Sequence, residues 1–209
     1  MNEILKSALA GRPLDGLKTW PTTQAAEGVP RLAWSLEDLD RLTELGVFEE
    51  HDHIELIGGE LVPMATKGNR HEIVRDEVQD WLMSHVPKHV KIGFELGWRP
   101  APGIYLEPDI VLYPRALRVP NIPGGEMLLM IEIANSSLSN DLGFRARTMA
   151  SLGVRDYWVV NAETLETTVH REPSEQGFGR TEFVAKDSML TPRLVPELAL
   201  RLAGLSIDS

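Results

Sequence analysis

"EMLLMIEIANSS", residues 126–137, places one charge inside an apolar strand. Met127 to Ile131 form a continuous apolar run, and Ile133 and Ala134 extend it beyond Glu132. Strands buried on both faces have this pattern. An ionised carboxylate in such a strand is costly unless it is paired or binds a metal. The fold and the chemistry both depend on what surrounds Glu132.

Working outward, "DLGFRARTMASLG" (141–153) reads as a helix with Gly153 as its stop, and "DYWVVNAETLETTVHRE" (156–172) as a hairpin turning at 161–164. The helix between strands 126–134 and 156–160 serves as a crossover, which allows those two strands to run parallel. Upstream, "SLEDLDRLTELGV" (35–47) is a helix with Ser35 as N-cap, Asp38 three residues on, and Leu36, Leu39, Leu42 and Leu45 on its apolar side. "HIELIGGELVPM" (53–64) is a hairpin about Gly58-Gly59. "RHEIVRDEVQDWLMSHV" (70–86) is an amphipathic helix with Ile73, Val74, Val78, Trp81 and Leu82 inward. Further strands are expected at 90–98, 104–113, near 181–185 and near 198–202. The order predicts an α+β or mixed α/β fold, with one central sheet and helices against it. Residues 1–30 read as an N-terminal extension, with a short helix in "NEILKSALAG", and 31–209 as the compact domain.

A second acid stands out in "EPDIVLYP" (107–114), where Asp109 opens an apolar strand. A proline-rich loop separates that strand from the one carrying Glu132. An antiparallel pairing brings Asp109 opposite Ile131 or Glu132. In the second register the two carboxylates share a face, with Cβ atoms about 4.5–5.5 Å apart. They then repel unless a proton or cation lies between them. Oxygen ligands of this kind favour a hard ion such as Mg²⁺ or Mn²⁺. The plainer alternative is a structural bridge from Glu132 to Arg145 or Arg147 of the following helix.

Composition narrows the function. The 209 residues are 43% hydrophobic and 25% charged, as in an ordinary globular protein. No segment approaches a membrane span and no secretory leader is legible, so a cytoplasmic location is expected. The absence of cysteine removes disulfides and thiolate metal sites. No glycine-rich phosphate loop follows a strand, which argues against nucleotide binding. The net charge of -10 weighs against a broad nucleic-acid surface, though not against a local basic groove.

Together "SLEDLDRL", "IELIGGELVPM" followed by a histidine, "EPDIVLY", "MIEIANSS", "DLG" opening a helix and "LGVRDYWVVNAETLETTVHR" cover about residues 31–171. This ordered set resembles the Uma-type restriction endonuclease-like family of the PD-(D/E)XK nuclease superfamily. The resemblance implies a restriction-endonuclease-like core with a metal site at one edge of the sheet. Asp109 and Glu132 match its metal-binding acids, the Ile133 carbonyl a backbone ligand, and Glu60 and His71 other characteristic positions bordering the same cleft. Glu60 could equally be a solvated turn residue, and His71 a capping or packing residue.

The signature calls for lysine two residues after the glutamate, where this chain has Ala134. In this branch the lysine moves to the next helix, four residues after the aspartate matched by Asp141. That position holds Arg145, and the family's following tyrosine is Met149. Arginine stays protonated and cannot serve as a general base, but it can neutralise charge on a phosphate. The expected function is a Mg²⁺- or Mn²⁺-dependent DNA endonuclease, with DNA as partner and a homodimer as assembly. A nuclease-fold binding or assembly protein with weak or lost chemistry is the alternative. A metal-dependent hydrolase of another substrate is a third reading, because fold alone does not fix function.

Overall fold

The computed structural model describes residues 19–20, 31–48, 54–64 and 67–207. Apart from residues 19–20, the expected N-terminal extension and its short helix lie outside the described residues. The chain divides into two compact units. The first comprises residues 1–64 and 101–106, and the second 65–100 and 107–209.

In the first unit, β1 (Thr19–Trp20) pairs antiparallel with β2 (Arg31–Leu32). Helix α1 (Leu36–Glu44) starts at a full capping box, in which Ser35 and Asp38 each accept from the other's backbone N–H. Leu39 and Leu42 are its buried residues, while Leu45 at the C-cap is exposed rather than part of an inward stripe. Strands β3 (Ile54–Ile57) and β4 (Glu60–Pro63) form the expected hairpin. Its two turn glycines, Gly58 and Gly59, have φ of 60° and 83°, the left-handed pair that a two-residue turn between twisted strands requires. The far edge of β3 pairs with β6 (Ile104–Tyr105).

That last pairing corrects one expectation. Residues 104–113 are not one strand. Pro108 contributes no N–H, and the chain breaks there into β6 in the first unit and β7 (Ile110–Pro114) in the second.

The second unit is built on a six-stranded mixed sheet ordered β11-β10-β9-β8-β7-β5. Its strands are β5 (Val90–Phe94), β7, β8 (Leu129–Ala134), β9 (Asp156–Asn161), β10 (Thr167–Ser174) and β11 (Gly177–Val184). Only β8 and β9 run parallel, joined through the expected helical crossover. All six residues of β8 are buried, Glu132 among them. One face of the sheet, carrying Ile110, Leu112, Leu129, Ile131, Ile133, Trp158 and Val160, forms the core with Val74, Val78 and Leu82 of α2 (Asn69–His85). The inward stripe of α2 is His71, Val74, Val78 and Leu82, at helical spacing. Ile73 lies off that stripe and is 45% exposed, contrary to expectation.

The crossover helix, α3, is not uniform. It runs as an α turn (Leu138–Asn140), a π segment (Asp141–Arg145) and an α segment (Ala146–Ser151). Its last segment packs against β10 and β11. Gly153, at φ 82°, ends it as expected. The strand expected near 198–202 is only an isolated bridge, Leu190 with Leu200, between two short 3-10 turns. Pro196 supplies no N–H to a ladder, which limits pairing there. Among the described residues, no helix is long and apolar enough to cross a membrane.

Candidate active site

Strand register fixes the position of the acids. Pairing of Ile110 with Ile131 and of Val111 with Met130 sets Asp109 opposite Glu132, the second of the two registers open from sequence. Two hydrogen bonds lock this arrangement. The Asp109 N–H donates to Glu132 Oε2 at 3.2 Å, and the Ile133 N–H donates to Asp109 Oδ2 at 2.8 Å. Both side chains are buried.

The same register continues on the other side of β7. Phe94 pairs with Ile110, so Glu95 stands opposite Asp109 and gives its N–H to the Asp109 carbonyl at 3.1 Å. Glu95, Asp109 and Glu132 therefore form one row across three neighbouring strands. Glu95 is not glycine, yet its φ is 46°, a left-handed conformation that costs about 1–2 kcal/mol. Gly93 makes room for this bend, since a Cβ there would lie 1.9 Å from Leu96 Cδ2. Three acids at successive strands repel one another, so cations must lie among them.

Four basic side chains meet the row. Arg145 Nε, from the π segment of α3, donates to Glu132 Oε1 at 2.8 Å and lies 3.9 Å from Asp141 Oδ1. His71 Nε2, near the start of α2, is 3.2 Å from Asp109 Oδ2. Lys67, just before α2, reaches Asp109 Oδ1 at 3.1 Å and also ion-pairs with Glu95. Arg75 completes the outer edge, bonded to Glu95 Oε1 and Glu72 Oε2 at 2.5 Å each. Lys67 and His71 are four residues apart, so both extend from the N-terminal end of α2 to the same carboxylate.

Burial pushes the Asp109 carboxyl up, but the His71 hydrogen bond and charge, the Lys67 charge and the Ile133 N–H outweigh it and hold it at about 2, below the ordinary 3.8. Burial likewise works against the charged forms of Glu95 and Lys67. In Lys67 the Asp109 charge and then the contact with Glu95 prevail and raise it, while in Glu95 the contact with Lys67, aided by the Arg75 charge, prevails and lowers it. Beside Glu132, burial and that residue's negative charge push Tyr157 well above its usual range.

Of the residues singled out from sequence, Asp109, Glu132, His71 and Arg145 come together, and Ile133 joins them through its amide. Glu60 belongs to the first unit, where it opens β4 opposite Ile57. Glu95 and Lys67 were not anticipated. Arg145 makes the ion pair to Glu132 foreseen in the structural-bridge alternative.

A divalent cation can be tested against this donor set. Asp109 and Glu132 offer hard oxygens, and a carboxylate oxygen that accepts one N–H keeps a second lone pair. Among the described residues, no three His, Cys, Asp or Glu side chains converge on a metal position. Mg²⁺ does not need three, because it is held by one or two carboxylates with waters and substrate phosphate completing the shell. The residues therefore fit such an ion, provided that it shares the acids with Lys67 and Arg145.

Comparison with known proteins bears on the family and the fold. No curated protein matches the chain. A solved structure described as "a putative nuclease belonging to DUF820 from Anabaena variabilis ATCC 29413" is 20% identical, covers 81% of this chain and 95% of its own, and superposes with a TM-score of 0.63. At that identity the likeness shows a shared fold. The family profile of Uma2, described as "Putative restriction endonuclease", matches residues 36–203, and the chain belongs to that family.

Proposed function

We propose that the protein is a divalent-cation-dependent DNA endonuclease whose cation is held by Asp109 and Glu132, with the Ile133 carbonyl as a further ligand. The observation that supports this reading best is the buried pair itself, two acids directly opposite each other and cross-linked by backbone N–H groups. When bound, a Mg²⁺ or Mn²⁺ ion supplies an acidified water and polarisation of a phosphoryl oxygen. The chain's own residues hold the geometry. Ile133 N–H and His71 fix Asp109, Asp109 N–H fixes Glu132, and Arg145 is the cation nearest Glu132 for neutralising charge on the scissile phosphate. A homodimer and a cytoplasmic setting complete the proposal, since cleavage of both strands calls for two sites.

A plasmid-nicking assay with Mg²⁺ or Mn²⁺, repeated with EDTA, tests the reading. Glu132→Gln keeps the side chain's shape, removes its charge, and is expected to lower nicking by about 10²–10³-fold, the scale seen when one electrostatic element of an active site is lost. Cleavage by Glu132→Gln equal to wild type would rule the mechanism out.

The competing reading, a nuclease-fold binding protein without efficient chemistry, draws on one specific observation. Both Asp109 oxygens and both Glu132 oxygens already have an N–H or cationic partner within the chain. That reading expects no metal-dependent nicking from wild type at all.

A further inference from the structure

The position of Lys67 is not explained by the family pattern, which places its lysine on the strand or on the crossover helix. The structure brings Lys67 to the row of acids from the loop before α2, with its ammonium between Glu95 and Asp109. We propose that Lys67 is the site's resident cation, a side chain that competes with the divalent ion for Asp109 and thereby sets the affinity of the site for metal. The inference rests on the metal reading of Asp109 and Glu132 given above.

Three features support it. First, Lys67 takes Asp109 Oδ1, the oxygen that neither His71 nor the Ile133 N–H uses. An ion that approaches Asp109 on that side meets the ammonium directly. Second, Lys67 has a second carboxylate to hold it. Glu95 stands opposite Asp109 in the sheet, in a left-handed backbone conformation, and binds Lys67 independently of Asp109. The ammonium can leave Asp109 without leaving the row. Third, the other cation differs in kind. Arg145 is buried on α3, and its planar group is fixed by direction, whereas lysine carries a compact charge on a flexible stem and sits at the helix-proximal loop. Compared with Arg145, Lys67 is the cation built to yield. Once displaced onto Glu95, it remains beside the ion as a positive charge available to a substrate phosphate.

The test is Mn²⁺ binding to the full-length protein without DNA, read by the loss of the free-ion electron paramagnetic resonance signal. Wild type is compared with Lys67→Met, Lys67→Gln, Lys67→Arg and Asp109→Asn, with circular dichroism confirming that each is folded. Removing a unit charge about 4 Å from a divalent ion is expected to tighten Mn²⁺ binding by about tenfold or more in Lys67→Met and Lys67→Gln. Lys67→Arg keeps the charge and is expected to bind Mn²⁺ no more tightly than wild type, and Asp109→Asn to lose the site. Binding by both neutral variants that is equal to or weaker than wild type overturns the proposal, and so does tightening in Lys67→Arg equal to that in Lys67→Met. If wild type binds Mn²⁺ through Asp109 and only the Lys67 effect is missing, the metal reading stands and this inference falls. If neither wild type nor the neutral variants bind, both fall.

Discussion

Two buried acids in the same sheet make opposite use of their partners. Asp156, at the start of β9, is fully buried, and its cross-strand partner on β10 is Arg171. Its Oδ1 accepts from Trp158 Nε1 at 2.9 Å and Arg171 Nε at 3.0 Å, and its Oδ2 from Arg193 N–H at 2.6 Å and Arg171 Nη2 at 3.4 Å. Arg171 in turn donates to the Thr191 carbonyl at 2.7 Å, so the cluster ties the C-terminal segment to the sheet. Asp109 has Glu95 on one side and Glu132 on the other. One acid matched by one arginine and filled with donors is a strut. Three acids in a row, held apart by cations from a loop and a helix, are poorly suited to stability alone, since like charges at adjacent strands destabilise a sheet. The number of acids around a buried acid separates the two cases better than its burial does.

Breaking the strut provides the most severe test of that contrast. Asp156→Ala leaves Arg171 without its carboxylate and is expected to cost about 3–5 kcal/mol in urea unfolding. Nicking by the fraction that remains folded should be unchanged. Lost activity in fully folded Asp156→Ala would show that the two clusters are coupled.

The pH dependence of stability sharpens the other half. Asp109 is held at about 2 in the folded chain, against 3.8 ordinarily. Because the folded value is the lower one, its contribution is complete above about pH 4 and disappears as pH falls towards 2. The difference is worth about 2 kcal/mol. Urea titrations between pH 5 and 2 are expected to show that decline in wild type, reduced in Asp109→Asn by about the same amount. Identical slopes in the two proteins would mean that Asp109 is not held as described.

The smallest expected effect belongs to Arg171→Lys. Lysine keeps the charge beside Asp156 but not the two-pronged contact or the bond to Thr191, a loss of about 1 kcal/mol. A destabilisation as large as that of Asp156→Ala would mean that the strut depends on geometry rather than charge.

Much of this was legible in the sequence, and the reasons are local. The β8 run and the acid opening β7 flank one loop, so counting residues back from it on either side limited Asp109 to two partners. The capping box at Ser35 and the glycine pair at 58–59 each carry their own geometry. Asp156 opens an apolar strand much as Asp109 does, and nothing in "RDYWVVN" distinguishes a strut from a site. Glu95 was missed because the expected strand ran on to residue 98, while the chain bends at a left-handed residue that is not itself a glycine. Counting β5 against β7 would have found it. Lys67 lies in a loop without periodicity. Its one signal was the spacing of four to His71, on a helix whose N-terminal end meets the sheet at Asp109. The split of 104–113 between the two units could have been inferred from Pro108.

The π segment of α3 has a consequence for how this chain can change length. A π turn accommodates an extra residue within an otherwise α-helical run, and such turns often occur at functional positions. Losing any one residue from 141–144 would restore ordinary helical winding and rotate the N-terminal part of the helix by about 100° relative to its C-terminal part. The C-terminal part, Ala146–Ser151, is seated on β10 and β11 and carries Arg145 directly before it, so the rotation would fall on the Asp141 side. Arg145 would keep its place at Glu132 but lose Asp141 beside it, although neither residue of the Arg145–Glu132 pair had been substituted. By contrast, the exposed turn between β10 and β11 at 175–176 can take insertions without moving anything in the row of acids. Evolution of this protein by insertion and deletion is therefore expected to be permissive at the hairpin tips and closed across one turn of one helix.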